Sequence, residues 1–186
     1  MFEKLTVGVF LMKIYYEHGK LKIRSMLESD AQAIIEVFQS YGWNNKIETY
    51  LGYFKDQETG IRNVYIAEYD DKIAGYCTLL FDAQSGPWKK EGMPEISDLR
   101  VFNAYQQRGI GNILLDVIEK DTTRFSDEIT LAVGLHYGYG NAQRLYVKRG
   151  YVPDGSGVWY NSEVLEQYAE CCNDDSLVLY MSKKLR

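Results

Sequence analysis

The stretch Tyr105-Gln106-Gln107-Arg108-Gly109-Ile110-Gly111-Asn112-Ile113-Leu114-Leu115 decides how the chain folds. The residues before it, Glu95-Ile96-Ser97-Asp98-Leu99-Arg100-Val101-Phe102, are rich in strand formers. Those after it place Ile113, Leu114, Val117 and Ile118 at the spacing of a helix with one buried face. The stretch therefore reads as a turn that ends a strand and opens a helix. Gly109 and Gly111 allow a tight turn with exposed N–H groups. The first turn of a helix adds free N–H donors and the positive end of the dipole, which together suit a phosphate.

Two common phosphate loops are excluded. A P-loop requires Lys and then Ser or Thr after its last glycine, whereas Gly111 is followed by Asn112 and Ile113. A dinucleotide fingerprint requires a small residue three places after Gly111, and that position is Leu114. What remains is Gln106-x-x-Gly109-x-Gly111.

Upstream of the loop, alternation predicts a strand over residues 21–26. A helix opened by Ser29 or Asp30 follows, with Ala33, Ile34, Val37 and Phe38 on one face. A second helix over 46–57 carries Ile47, Tyr50, Leu51 and Phe54 on its apolar face. Residues 63–69 and 72–81 form a hairpin about Asp70-Asp71, and 84–94 form a long loop of the kind that often carries function. Downstream come a helix over 112–121, a strand over 128–133 and a short helix over 141–149 stopped by Gly150. A short strand at 158–160, a helix over 163–172 and a last strand at 177–181 close the chain. Residues 13–17 and 20–26 read as a further hairpin about His18-Gly19. Hairpins combined with one strand–helix–strand crossover imply a mixed sheet, an α/β architecture with helices on both faces.

The chain has 186 residues, 46% hydrophobic and 25% charged, which suits one globular domain. A net charge of −5 without a basic patch argues against nucleic acid as partner. Cys77 reads as core, and with Cys171 and Cys172 it makes an odd set without metal-ligand spacing, which points to the reducing cytoplasm. The apolar run Leu5-Thr6-Val7-Gly8-Val9-Phe10-Leu11-Met12 is too short to span a bilayer, no small-residue cleavage site follows it, and Met12 is an alternative start. No membrane partner is expected.

A second motif is Asn141-Ala142-Gln143-Arg144-Leu145-Tyr146-Val147-Lys148-Arg149-Gly150-Tyr151. With the element order, it resembles the GNAT (Gcn5-related N-acetyltransferase) superfamily. The glycine loop resembles that family's pyrophosphate loop, Gln/Arg-x-x-Gly-x-Gly/Ala. The second motif resembles its Asn-x-x-Ala-x-x-Leu-Tyr-x-x-x-Gly-Phe stretch, with alanine at 142 rather than 144 and Tyr151 in place of Phe. The resemblance covers residues 21–183. It implies a mixed, mostly antiparallel sheet of about seven strands in a domain over 21–186, preceded by an extension over 1–20 with an extra strand.

It also implies transfer of acetyl from acetyl-CoA to a primary amine. The resemblance assigns the pyrophosphate to Gln106, Gln107, Arg108, Gly109, Ile110, Gly111 and Asn112. It assigns the pantetheine arm to the edge of Leu99, Arg100 and Val101, where two strands splay apart, with the thioester oxygen near the N–H of Val101. Asn141 would cap its helix and bond the same arm. Tyr146 is the candidate general acid. Glu95, fourteen residues before Gly109, is the candidate general base, at the place of the catalytic glutamate in histone-acetylating members. Asp98 is its rival, and strict alternation puts the two carboxylates on opposite faces. Water is a third route for the proton. Tyr41, Trp43, Trp88, Trp159 and Tyr160 lie in segments that, by the resemblance, build the acceptor pocket in that family. His136 reads as solvated or structural. No cysteine stands where an acyl-enzyme would need it, which favours direct attack in a ternary complex. The acceptor stays open between a small molecule, which is favoured, and a peptide amine; homodimers are common in the family. The alternative is a non-catalytic acyl-CoA-binding or sensing module.

Overall fold

The computed structural model describes residues 12–186; the apolar run at 5–12 lies outside that range except for its last residue. Among the described residues, nine strands form one sheet and four α-helices pack on its two faces. The elements run β1 (Ile14–His18), β2 (Leu21–Ser25), α1 (Asp30–Ser40), α2 (Ile47–Glu58), β3 (Arg62–Tyr69), β4 (Lys72–Leu80) and β5 (Glu95–Val101). They continue with α3 (Ile110–Thr122), β6 (Glu128–Gly134), α4 (Gly140–Lys148), β7 (Val152–Tyr160), β8 (Glu163–Val164) and β9 (Leu177–Lys184). The sheet order is β1-β2-β3-β4-β5-β6-β9-β7-β8, antiparallel throughout except for β5 and β6. The strands exceed the expected seven by β1, which comes from the N-terminal hairpin, and by the two-residue β8.

Each face of the sheet has its own core. On one side Leu114, Leu115 and Ile118 of α3 and Tyr146 of α4 pack against Ile23, Cys77, Leu79, Leu131 and Met181. On the other, Ile34, Ile35 and Phe38 of α1 and Tyr50 of α2 pack against Val64, Ile66 and Tyr76. Each fully buried Leu, Ile or Phe contributes about 2 kcal/mol. At the start of α1 the N-cap residue Ser29 makes no side-chain cap bond, and Asp30, the first helical residue, reaches back to the preceding turn instead. The Asp30 carboxylate accepts from the N–H of Leu27 at 2.7 Å and is gripped by the buried Arg24 at 2.6 and 2.8 Å.

Three expectations about the elements are corrected. The buried stripe of α1 is Ala31, Ile34, Ile35 and Phe38, with Ala33 and Val37 half-buried. The buried residues of α2 are Tyr50 and Gln57, while Leu51 is exposed. Gln57 replaces an apolar residue because its amide satisfies the backbone of Met26 and Val64 between α2 and the sheet. Residues 163–172 are not helical: Glu163–Val164 pairs with the end of β7, and turns follow.

Candidate active site

β5 and β6 run parallel but share only two register pairs, Glu95 with Thr130 and Ile96 with Leu131. Beyond them β5 continues to Val101 and β6 to Gly134 without pairing, so the sheet opens at the carboxyl ends of both strands. That is where open α/β sheets bind ligands. α3 begins at the end of β5. α4 is hooked to the end of β6, where the Gln143 amide donates to the Gly134 carbonyl at 2.8 Å.

The glycine loop stands at the head of this gap. Gly109 caps α3 with φ of +80°, a left-handed conformation that glycine adopts without strain. Among the described residues, the N–H groups of Ile110, Gly111 and Asn112 meet no acceptor, as expected for a first helical turn. The Ile110 side chain is buried in the core, leaving only its backbone for a ligand. A Cβ on Gly111 would lie 3.7 Å from Leu145 and from Val101, an ordinary contact. Gln107 also has positive φ, at 60°. One expected donor is turned to other work, and a second lies against aromatic rings. The Gln106 amide donates to the Val101 carbonyl at 3.1 Å and to Asn103 at 3.2 Å, bracing the loop against β5. The Arg108 guanidinium lies over the rings of Tyr69 and Tyr105. Asn112 accepts from Arg149.

The strand carries the acid–base candidates. β5 is bulged against β4: Thr78 pairs with Asp98 and Leu79 with Ile96, so Ser97 is an extra residue. Strict alternation fails there. Glu95 pairs with Leu80, Asp98 with Thr78 and Arg100 with Tyr76, which places all three side chains on the face of α1 and α2. Leu99 and Val101 pack on the α3 face. The expectation that Glu95 and Asp98 point to opposite faces is therefore overturned, because the bulge shifts the period by one. Of Arg100, only the backbone remains on the edge of the gap that Leu99 and Val101 also line.

Glu95 is 6% exposed, and its Oε2 is sealed from solvent without a hydrogen-bond partner among the described residues. Burial pushes its carboxyl up to about 7. Asp98 is differently held. The hydroxyls of Tyr76 and Tyr53 donate to its Oδ2 at 3.0 and 3.3 Å. Burial raises its carboxyl, and those hydroxyls and nearby Arg100 oppose the rise. Aromatic groups stand on either side. Tyr41 and Trp43 pack with Phe38 on one. On the other, Trp88 and Trp159 meet the Tyr180 ring edge-on at 6.1 and 5.2 Å. The Tyr180 ring fills the space where Gly86 lacks a side chain, 2.2 Å from a would-be Cβ. Sequence reasoning missed Tyr180, which lies within an apolar final strand and gave no separate signal. Tyr160 ends β7, paired with Leu177.

Tyr146 is 6% exposed, stacks edge-on with Tyr151, and its hydroxyl has no partner among the described residues. Burial first, and then nearby Cys77 and Asp98, raise its phenol well above the usual range, so it keeps its proton. Asn141 does not cap α4. Tyr139 is the residue before the helix, and Asn141 lies exposed in its first turn. Counted back from Leu145-Tyr146, the motif's asparagine position falls on Tyr139, which explains the difference. His136 is structural: its Nδ1 accepts from the N–H of Gly138 at 3.0 Å, so Nε2 carries the proton donated to Asp175 at 2.9 Å. A separate cavity of about 340 Å³ between β1 and α3, walled in part by Tyr15, Asp116 and Arg124, includes no residue of β5 or α4. No helix among the described residues is long and apolar enough to cross a membrane.

Comparison with known proteins agrees with this architecture. The sequence model of the Acetyltransferase (GNAT) family matches residues 25–151. No curated protein matches in sequence. Among solved structures, the fold is similar to that of yncA from Salmonella typhimurium, solved with its cofactor acetyl-CoA, at 16% identity and a TM-score of 0.65 over 90% of this chain and 95% of that one. It is similar to the Salmonella typhimurium acetyl transferase that modifies the N-terminal serine of ribosomal protein L7/L12 (13% identity, TM-score 0.68, 92% and 99% covered). It is also similar to the paia N-acetyltransferase of Thermoplasma acidophilum in complex with coenzyme A (19% identity, TM-score 0.60, 89% and 99% covered).

Proposed function

The chain belongs to the acetyltransferase (GNAT) family, and from that premise we propose that it transfers acetyl from acetyl-CoA to a primary amine, with a small molecule as acceptor, by direct attack in a ternary complex. The observation that carries this reading is Glu95: a buried carboxyl whose Oε2 has no hydrogen-bond partner among the described residues, beside the point where β5 and β6 part. A buried charge without a partner is costly to a fold and needs a reason. A base poised near neutrality is such a reason. The coenzyme fits the rest of the gap. Free N–H groups of Ile110, Gly111 and Asn112 suit its pyrophosphate, and the unpaired edge of Leu99 to Val101 suits its pantetheine amides. It supplies an activated acetyl thioester.

The residues do the proton work. Glu95 takes a proton from the acceptor's ammonium, directly or through water. The amine nitrogen bonds to the acetyl carbon as the carbon–sulfur bond breaks. Tyr146 gives its proton to the departing sulfur, and the second proton that the acylated nitrogen sheds restores the phenol, directly or through water. A phenol is a weaker acid than a thiol in water, but the burial that raises the phenol raises a thiolate in the same place. Purified protein with acetyl-CoA and an amine panel should release free thiol, and the Glu95→Gln variant should lose most of that rate. Binding of acetyl-CoA without thiol release from any amine would instead favour an acyl-CoA-binding module.

A further inference from the structure

Among the described residues, Arg100 makes no ion pair, although Asp98 and Asp175 lie near enough to feel its charge. Its guanidinium lies 5.2 Å from the Trp43 ring centre and 5.8 Å from that of Phe38. Ring faces orient a guanidinium without using its N–H donors, so the fork is held in place with its hydrogen bonds unspent. Its charge is felt by Asp98 on β5 and by Tyr139 and Asp175 across the gap. It therefore overhangs the mouth of the site. The Ser97 bulge puts it on the same face as Glu95 and Asp98. Glu95 and Arg100 are four steps apart along β4, from Leu80 to Tyr76, or about 13 Å between backbones. Asp98 stands between them on the same face, held by the Tyr53 and Tyr76 hydroxyls. The face opposite Arg100 holds α3, so its side chain is turned away from the loop suited to pyrophosphate.

The geometry points to an acceptor that is zwitterionic, an amino acid or close derivative whose amine lies toward Glu95 and whose anionic group is read by Arg100. This rests on the acetyltransferase reading. An acceptor that is only cationic leaves the Arg100 fork unused and is repelled by it, whereas a zwitterion matches both ends of the face.

The test is a panel of amino acids, each assayed with its carboxamide and its decarboxylated amine, using thiol release. The acids should be turned over with lower KM than either neutralised analogue. Arg100→Gln should raise KM for the acids by about tenfold or more, leave KM for the analogues nearly unchanged, and preserve the acetyl-CoA Kd measured by calorimetry. Arg100→Lys should rescue only part, since an ammonium is a point charge without the fork. Preference for the decarboxylated amines, turnover of no member of the panel, or an equal loss for all three in Arg100→Gln would overturn the proposal. Failure of the acetyltransferase reading itself shows separately, as thiol release from no amine inside or outside this panel, whether or not acetyl-CoA binds to the unmodified protein.

Discussion

At the scale of single residues, Glu95 ties stability to the proposed activity. Its carboxyl stands at about 7 in the fold against an ordinary 4.5. The ionised form is the disfavoured one, so folding stability falls as pH rises from about 4.5 to 7 and is recovered below that window. A shift of this size corresponds to roughly 3 kcal/mol. Glu95→Gln should therefore melt higher than the unmodified protein at pH 8, with the difference gone near pH 4, as followed by thermal unfolding. The same substitution should remove the rise of kcat/KM through pH 7. Tyr146→Phe should lower kcat and leave acetyl-CoA affinity nearly intact; an unchanged kcat would take Tyr146 out of the mechanism. The two loop glycines should separate. Gly109→Ala meets a φ of +80° and should cost about 1 kcal/mol or more, whereas Gly111→Ala sits in a helix with room for a methyl and should be near neutral in urea unfolding.

At the scale of elements, the loop and the helix it opens were legible because glycine spacing and helical period are written locally. The bulge at Ser97 was not. A strand read by alternation alone assigns Glu95 and Asp98 to opposite faces, and nothing in Ile96-Ser97-Asp98 announces an extra residue. What accompanies it is tertiary: in the slipped register Asp98 accepts from the Tyr53 and Tyr76 hydroxyls of another helix and strand. The non-helical segment at 163–172 was lost similarly, since β8 exists only by pairing with Trp159 and Tyr160. Close approach of β4 and β5 gives an element-level prediction. A Cβ on Gly75 would lie 2.3 Å from the Arg100 carbonyl. Gly75→Ala should push the strands apart at the edge of the gap, destabilise the protein by about 1–3 kcal/mol, and raise KM for acetyl-CoA in steady-state assays.

At the scale of the whole molecule, the sheet is two half-sheets joined by two register pairs. Side chains reinforce that narrow seam. Glu119 of α3 accepts from Arg149 at 3.0 and 2.9 Å, from the Tyr151 hydroxyl at 3.2 Å and from Lys183 of β9 at 2.6 Å. Removing one member of such a buried set strands the others. Glu119→Ala should cost about 3 kcal/mol or more, seen as a lower urea midpoint with unchanged m-value. The parted strands have one more consequence, in the clock of solvent exchange. Among the described residues, alternate amide hydrogens of β5 beyond Ile96 face the gap without an acceptor, although they lie mid-sheet and between two cores. They should take up deuterium within seconds, while their β4-facing neighbours hold protium far longer. Any molecule that lies along that edge and lends it carbonyls should slow the fast set alone, leaving a footprint that mass spectrometry can read without a single turnover.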